Sequence, residues 1–391
     1  MATKKGVWNL QQVRDKQLQD LWSYTGVSSL FTWGFNTNGQ LGHNDRTARS
    51  SPIQVASAAS LWQYVSHCGD MNDGDHHFFT REDGTMWAVG GNTKGQLGQN
   101  NEIKYSSPVQ VPGTTWGPQM SVISTKSYAI KTDGTLWAWG NNSPSYGELG
   151  HNNKTNYSSP AQIPGTTWSK VTSYGYSVIA TKTDGTLWTW GANNFGKLGL
   201  NNTNNYSSPK QVPGTTWTGD IGGGNQFAAA IRTDGTLWMW GVNENGQLGQ
   251  NGPHNTNYSS PKQVGSDTTW SKVEGHVNSI VAIKTDGTLW AWGYNDSGNL
   301  GQNNTTKISS PVQIPGTTWS NLATGNQWTI ATKTDGTLWG WGTNNQGQLG
   351  QNNSDGEYGY SSPVQIGDSS WNTGDREFGT SWLGAAATKQ L

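Results

Sequence analysis

The chain has 391 residues and a formal net charge of -1, from 24 Lys and Arg against 25 Asp and Glu. So even a balance, with the basic residues scattered along the chain, gives no electrostatic footprint for nucleic acid, and a lone cysteine, Cys68, excludes an internal disulfide framework and fits a reducing compartment. No apolar run approaches membrane-spanning length, while 23 Trp and 53 Gly, the latter about twice the usual share, point to thin Trp-filled layers joined by tight turns.

The first 27 residues share no pattern with the rest of the chain. Asn9 to Trp22 places Leu10, Val13, Leu18, Leu21 and Trp22 close to helical spacing with Gln, Arg, Asp and Lys between them, and Asn9 suits an N-cap. The spacing predicts a short amphipathic helix in an N-terminal extension, residues 1–27, with Val7 and Trp8 just ahead of it. Its apolar row is expected either to cover one face of the domain or to dock on a protein partner. Met-Ala-Thr-Lys-Lys-Gly-Val-Trp at the start has no apolar h-region, so synthesis in the cytoplasm without a cleaved signal is expected.

From residue 28 to 391 one pattern recurs without a linker, which reads as a single domain. Gly-x-Leu-Gly begins at Gly39, Gly95, Gly147, Gly196, Gly246, Gly298 and Gly347, and Ser-Ser-Pro comes after each copy, with its proline at Pro52, Pro108, Pro160, Pro209, Pro261, Pro311 and Pro363. A period near fifty residues marks a repeat protein. In the copy from Trp168 to Pro209, strands are expected at Trp168 to Thr172, Ser177 to Thr183 and Thr186 to Gly191, with Asp184-Gly185 as a tight hairpin turn between the last two. Ser-Ser-Pro then leads into a fourth strand at Lys210 to Val212. Four antiparallel strands repeated seven times predict an all-β, seven-bladed β-propeller.

The termini belong to one blade. Six Asp-Gly-Thr turns occur, at Asp83, Asp133, Asp184, Asp234, Asp286 and Asp335, and the seventh is absent. Leu383 to Lys389 reads as the strand entering that missing turn and Leu30 to Gly34 as the strand leaving it, so the last blade is assembled from both ends of the chain, two strands from each. Such closure pairs edges that would otherwise lie open.

Asp-Gly-Thr-Leu-Trp-Ala-Trp-Gly-Asn-Asn at Asp133 to Asn142, continued by Gly-x-Leu-Gly and Ser-Ser-Pro, resembles the regulator-of-chromosome-condensation (RCC1) repeat. The resemblance covers roughly Ser28 to Leu391 and implies the family's seven-bladed ring. For function it implies a range: guanine-nucleotide exchange on a small GTPase, chromatin binding, inhibition of β-lactamases, or Trp-based ultraviolet sensing. Repeats of this kind commonly carry Gly-x-x-His before the second strand, whereas this chain has Gly175-Tyr176-Ser177, Gly224-Asn225-Gln226-Phe227 and Gly325-Asn326-Gln327-Trp328, and only His76 and His77 resemble that step. The departure argues against nucleotide exchange. Six arginines are too few for the Arg-rich faces of the light-sensing members.

Most tryptophans recur in register, as in the pairs Trp137 and Trp139, Trp188 and Trp190, and in the series Trp116, Trp168, Trp217, Trp270, Trp319 and Trp371. A residue required once per blade is scaffold. Function is therefore sought where the repeats differ. Asp70 to His77 is an acidic insertion with Asp70, Asp73, His76 and His77; it misses the calcium-loop spacing and is expected to be a solvated loop. Ser143 to Tyr146, Gly252 to Asn255 with His254, Ser354 to Tyr360 with Tyr358 and Tyr360, and Asp375-Arg376-Glu377 are further irregular loops that together could form an uneven binding face.

There is no Gly-x-Ser-x-Gly elbow, His-Glu-x-x-His, phosphate-cradling Gly-x-x-x-x-Gly-Lys or Cys pair, and no catalytic residue, metal or cofactor is expected. The expectation is a non-enzymatic protein-interaction scaffold. Gly6-Val7-Trp8-Asn9-Leu10-Gln11-Gln12-Val13-Arg14-Asp15-Lys16 resembles the opening of structural proteins of tailed bacteriophages, which makes a virion component, anchored to other virion proteins through its N-terminal segment, the leading expectation. A cytoplasmic adaptor or small-GTPase regulator is the first alternative. A receptor- or glycan-binding propeller using Tyr146, Phe195, Tyr358 and Tyr360 is the second.

Overall fold

The computed structural model describes residues 28–55, 62–68, 76–142, 146–217, 219–251, 256–353, 359–374, 377–380 and 383–390. The expected N-terminal helix, with Val7, Trp8, Leu10, Val13, Leu18, Leu21 and Trp22, lies outside these residues, as do Asp70, Asp73, His254 and Tyr358.

The described strands form seven sheets arranged as a propeller, antiparallel except where the two-residue strand His67–Cys68 joins the edge of Trp116–Ile123 in parallel. The third blade, Trp168–Tyr174, Ser177–Lys182, Leu187–Gly191 and Tyr206–Val212, shows the plan that the others share. Its first strand faces the ring axis and packs against the first strands of the second and fourth blades, Trp116–Ile123 and Ile221–Gly223. Middle strands are buried on both faces, as Ser177–Lys182 shows, and this explains its run of Val, Ile and Ala. The outermost strand is longer than expected, because Ser-Ser-Pro lies inside it. Thr189 pairs with Lys210 but Gly191 pairs with Tyr206, so Pro209 occupies a bulge on an edge strand, where its missing N–H costs no ladder bond.

Closure is as the missing turn implies. Ser28–Gly34 pairs with Gly384–Gln390 from Ser28↔Gln390 to Gly34↔Gly384, flanked by Arg49–Gln54 on one side and Phe378–Thr380 on the other. The only helical element among the described residues is a single 3-10 turn, Asn194–Gly196.

The recurring motifs are contacts between blades. Each blade's second Trp donates its indole N–H to the carbonyl of the variable residue in the preceding blade's Gly-x-Leu-Gly: Trp139 to Gln96 (2.8 Å), Trp190 to Glu148 (2.7 Å), Trp240 to Lys197 (2.9 Å), Trp292 to Gln247 (3.0 Å) and Trp341 to Asn299 (3.1 Å). The second glycine of the motif makes room for that indole: at Gly199, φ +72°, a Cβ would lie 2.8 Å from Trp240 Nε1. In the first blade Val89 takes the Trp position and has no such donor.

The basic residues prove far from scattered. A Lys or Arg at the end of each blade's second strand, or of Gly384–Gln390 in the closing blade, sits over two aromatic rings. Lys182 Nζ is 4.7 Å from the ring centroids of both Trp168 and Trp188, and Arg232 Cζ is 4.5 Å from Trp217 and 3.9 Å from Trp238. Arg81, Lys131, Lys284, Lys333 and Lys389 repeat the arrangement. Each such cation–π contact contributes about 0.5–2 kcal/mol.

Candidate protein-binding face

The ring has two faces of different character. One carries the Asp-Gly turns, and there the blades repeat one another. Asp184 Oδ1 accepts from the Thr186 hydroxyl (2.7 Å), Thr186 Oγ1 accepts from Trp188 Nε1 (2.8 Å), and the same relay recurs at Asp83, Asp133, Asp234, Asp286 and Asp335. The Thr hydroxyl holds each of these carboxyls below the usual carboxylate range. Ser28 lies at this face, paired with Gln390.

The opposite face carries the Asn-Gly loops. In each loop a buried Asn ties the turn together: Asn193 Oδ1 accepts from the Leu198 N–H (2.9 Å) while its amide donates to the Asn202 carbonyl (2.9 Å). In four loops the variable residue of Gly-x-Leu-Gly is Gln, and its side-chain oxygen accepts the backbone N–H two residues earlier: Gln40 from Asn38, Gln96 from Lys94, Gln247 from Asn245 and Gln348 from Gln346 (2.8–3.0 Å). Neutral Asn299 takes the place of Gln in the fifth blade, whereas the adjacent second and third blades carry charged residues there. Their variable residues are Glu148 and Lys197, both buried.

An ammonium has no acceptor, so Lys197 cannot replace the Gln. Its loop becomes the 3-10 turn, Phe195 takes φ +63°, and Lys197 Nζ donates instead to the Asn225 carbonyl in the fourth blade (3.2 Å). Phe195 alone among the seven equivalent residues has a positive φ. Where the other loops present Asn38, Lys94, Asn245, Ser297 and Gln346, these two blades present Tyr146 and Phe195. Tyr176 lies between them. Its ring packs at a tilt of 40° against Tyr146, 5.6 Å between centroids, and its carbonyl accepts from the Ala192 N–H (2.8 Å) in the Phe195 loop. Tyr176 and Phe195 are 44% and 46% exposed, two of only four large hydrophobics so exposed among the described residues.

Beneath the aromatic patch lie three buried charges. Lys126 Nζ is 3.5 Å from Glu148 Oε1 and 4.8 Å from the Tyr176 ring centroid. Burial pushes the Lys126 ammonium down, with Glu148 opposing the shift, and burial lowers Lys197 to about 8. The main chain here is pinned: the Glu148 carbonyl accepts from both Trp190 and Tyr128, and that of Lys197 from both Trp240 and Tyr174.

Of the residues singled out from sequence, Tyr146 and Phe195 fall in this patch. His76 and His77 do not lie in a solvated loop. They open the strand His76–Arg81, paired to Gly90 and Val89, and both are buried. His76 Nε2 is 2.9 Å from Ser127 Oγ of the second blade, and the His77 ring stacks on Phe79. Tyr360 is a frame residue, its hydroxyl accepting from Asn353 Nδ2 (3.1 Å) as Tyr105, Tyr157 and Tyr206 accept from their own loop Asn. Among the described residues no group of three His, Cys, Asp or Glu is placed to hold a metal.

Lys126, Glu148, Tyr176 and Lys197 do not stand out in the sequence, and neither does His276. His276 Nε2 donates to the Trp328 carbonyl (3.0 Å) and lies 2.8 Å from Thr329 Oγ1, and so bridges the fifth and sixth blades. The one signal for the patch is the variable position of Gly-x-Leu-Gly, which reads Gln, Gln, Glu, Lys, Gln, Asn, Gln around the ring.

A ring of seven four-stranded blades with one irregular loop face is a repeat β-propeller. Seven segments, 28–71, 83–120, 133–176, 184–231, 234–283, 286–332 and 335–373, match the regulator of chromosome condensation (RCC1) repeat, and the chain belongs to this family. It is 32% identical over 142 residues to the dog (Canis lupus familiaris) X-linked retinitis pigmentosa GTPase regulator, a match covering 36% of this chain and 14% of that protein. To the zebrafish (Danio rerio) protein RCC2 homolog it is 30% identical over 143 residues, 35% of this chain and 27% of that protein. The matches thus span well under a third of these relatives. Among solved structures, yeast (Saccharomyces cerevisiae) Prp20p superposes with a TM-score of 0.80 at 17% identity, covering 94% of this chain and 92% of that one. Human WBSCR16 superposes at 0.77 and 19%, covering 93% and 99%. At such identities the likeness is one of fold.

Proposed function

We infer that this propeller is a non-catalytic protein-binding module, an adaptor or small-GTPase regulator, that meets its partner through the Asn-Gly face of its second and third blades. The observation that carries the reading is the local loss of sevenfold regularity, where Tyr146, Tyr176 and Phe195 stand exposed or half-exposed over rigidly pinned main chain. Aromatic side chains on a fixed frame are the usual anchors of protein interfaces. The relatives support the partner class: one is named a GTPase regulator, and the Prp20p structure is described with its binding to Gsp1p and histones. The test is direct titration of the full-length protein against small GTPases of its source organism loaded with a fluorescent guanine nucleotide. Saturable binding to one of them, with or without faster nucleotide release, is expected. Absence of both across the panel would contradict the reading.

A second reading, a virion component anchored through residues 1–27, is favoured by the helical spacing of Leu10, Val13, Leu18, Leu21 and Trp22 and by Ser28 lying at the turn face. An anchor there leaves the loop face free. Removing residues 1–25 should abolish association with purified particles while leaving the melting temperature unchanged; retained association would reject it.

A further inference from the structure

We propose that the patch formed by Tyr146, Tyr176 and Phe195 over Lys126, Glu148 and Lys197 receives an acidic side chain flanked by an apolar one, presented by an extended segment of a protein partner. This rests on the reading of the loop face as the binding face and names the chemistry it selects.

Charge sets the first constraint. Two ammonium groups, Lys126 and Lys197, are buried around one carboxylate, Glu148, which leaves an excess of one positive charge. Removing charges from water is costly unless each is paired. Five of the seven equivalent loops avoid the cost with a neutral Gln or Asn at the same position. Lys197 meets a neutral acceptor, the Asn225 carbonyl, and sits in a loop whose neighbour Phe195 is held at φ +63°. Each of two adjacent blades forgoes the Gln lock and buries a lysine, one of them also holds an aromatic residue at positive φ, and these features meet at one exposed patch.

The size of that excess selects the chemical class. An incoming carboxylate supplies the one missing negative charge, whereas a phosphate carries about -1.5 to -2 at neutral pH and would over-compensate beside Glu148. The rings of Tyr146, Tyr176 and Phe195 supply apolar surface for the residue beside the acid. Rigid aromatic anchors around a desolvated charge give specificity with little ordering cost.

The test selects a phage-displayed library of random dodecapeptides on the immobilised full-length protein, then measures the best synthetic peptide by fluorescence polarisation. Enriched peptides are expected to carry Asp or Glu within two positions of an aromatic or aliphatic residue, and changing that acid to its amide should weaken binding at least tenfold. Lys197→Gln and Tyr176→Ser should each weaken it similarly with the melting temperature within a few degrees of the parent. Lys154→Gln, an exposed cation elsewhere on the second blade, should leave it unchanged. Failure to enrich any peptide, enrichment without acidic bias, enrichment of phosphorylated peptides alone from a phosphopeptide library, or indifference to Lys197→Gln would overturn the proposal. Because the probe is a peptide library, these outcomes do not depend on whether any small GTPase binds.

Discussion

The indole N–H of Trp33 donates to the main-chain carbonyl of Gln348, 315 positions later, at 2.9 Å. It is the same bond that Trp190 makes to Glu148 and Trp240 to Lys197, here carried across the seam where the two ends of the chain meet. The N-terminal strand is thereby bonded within its blade to Gly384–Gln390 and sideways to the sixth blade.

Trp33→Phe should keep the ring packed while deleting this bond and leaving a buried carbonyl without its indole donor. A cost of about 1–3 kcal/mol is expected, read as a lowered midpoint in urea unfolding with an unchanged slope. An unchanged midpoint would mean that the seam does not depend on the latch.

Deleting residues 383–391 removes the strand that pairs with Ser28–Gly34 along its whole length, together with the buried Ala385, Ala386, Ala387 and Thr388. Two facing edges, Ser28–Gly34 and Phe378–Thr380, are then left unpaired. Loss of cooperative melting and self-association in analytical ultracentrifugation are expected. A truncated protein that melts like the parent as a monomer would refute the shared blade.

Acid should weaken the ring through two imidazoles. Burial, aided by the neighbouring His76, lowers His77 from the ordinary 6.5 to about 3, and burial lowers His276 to about 4. Neither ring nitrogen of His77 has a hydrogen-bond partner among the described residues. The unfolded chain therefore binds protons that the folded ring refuses. Stability is full above about pH 6.5, declines as pH falls below it, and stops declining from these groups at about pH 4 for His276 and about pH 3 for His77, each unit of difference being about 1.4 kcal/mol. The melting temperature should fall steadily from pH 7 to pH 4, and His77→Phe should flatten that fall. A variant with the parent's pH slope would show that His77 is not the group responsible.

The fold is legible in the sequence because its signals are periodic. Seven copies of Gly-x-Leu-Gly and six of Asp-Gly-Thr locate the blades, and the absent seventh turn locates the seam. What those residues touch is not legible, since Trp240 and Lys197, or Gly196 and Ser259, meet only when blades are set side by side. The cations look scattered for the same reason: Lys131, Lys182 and Arg232 lie about fifty residues apart and share a role only in the ring. His76 and His77 look continuous with the acidic stretch preceding them, whereas pairing to Gly90 and Val89 decides their place. The patch itself is half visible. Tyr146 and Phe195 stand out as loop aromatics, but the Lys126, Glu148 and Lys197 cluster draws on two blades and is marked only by the two charged residues at one motif position.

Partner binding through the loop face, as proposed, is tested most directly by paired surface variants. Tyr146→Ser, Tyr176→Ser and Phe195→Ser combined alter only the loop face, and Asp133→Ser, Asp184→Ser and Asp234→Ser combined alter only the turn face of the second, third and fourth blades. Affinity for the bound protein partner is measured by isothermal titration calorimetry with both variants and the parent. The loop-face variant should lose at least tenfold in affinity with its melting temperature retained, and the turn-face variant should bind as the parent does. Full affinity in the loop-face variant together with loss in the turn-face variant would contradict this division of labour.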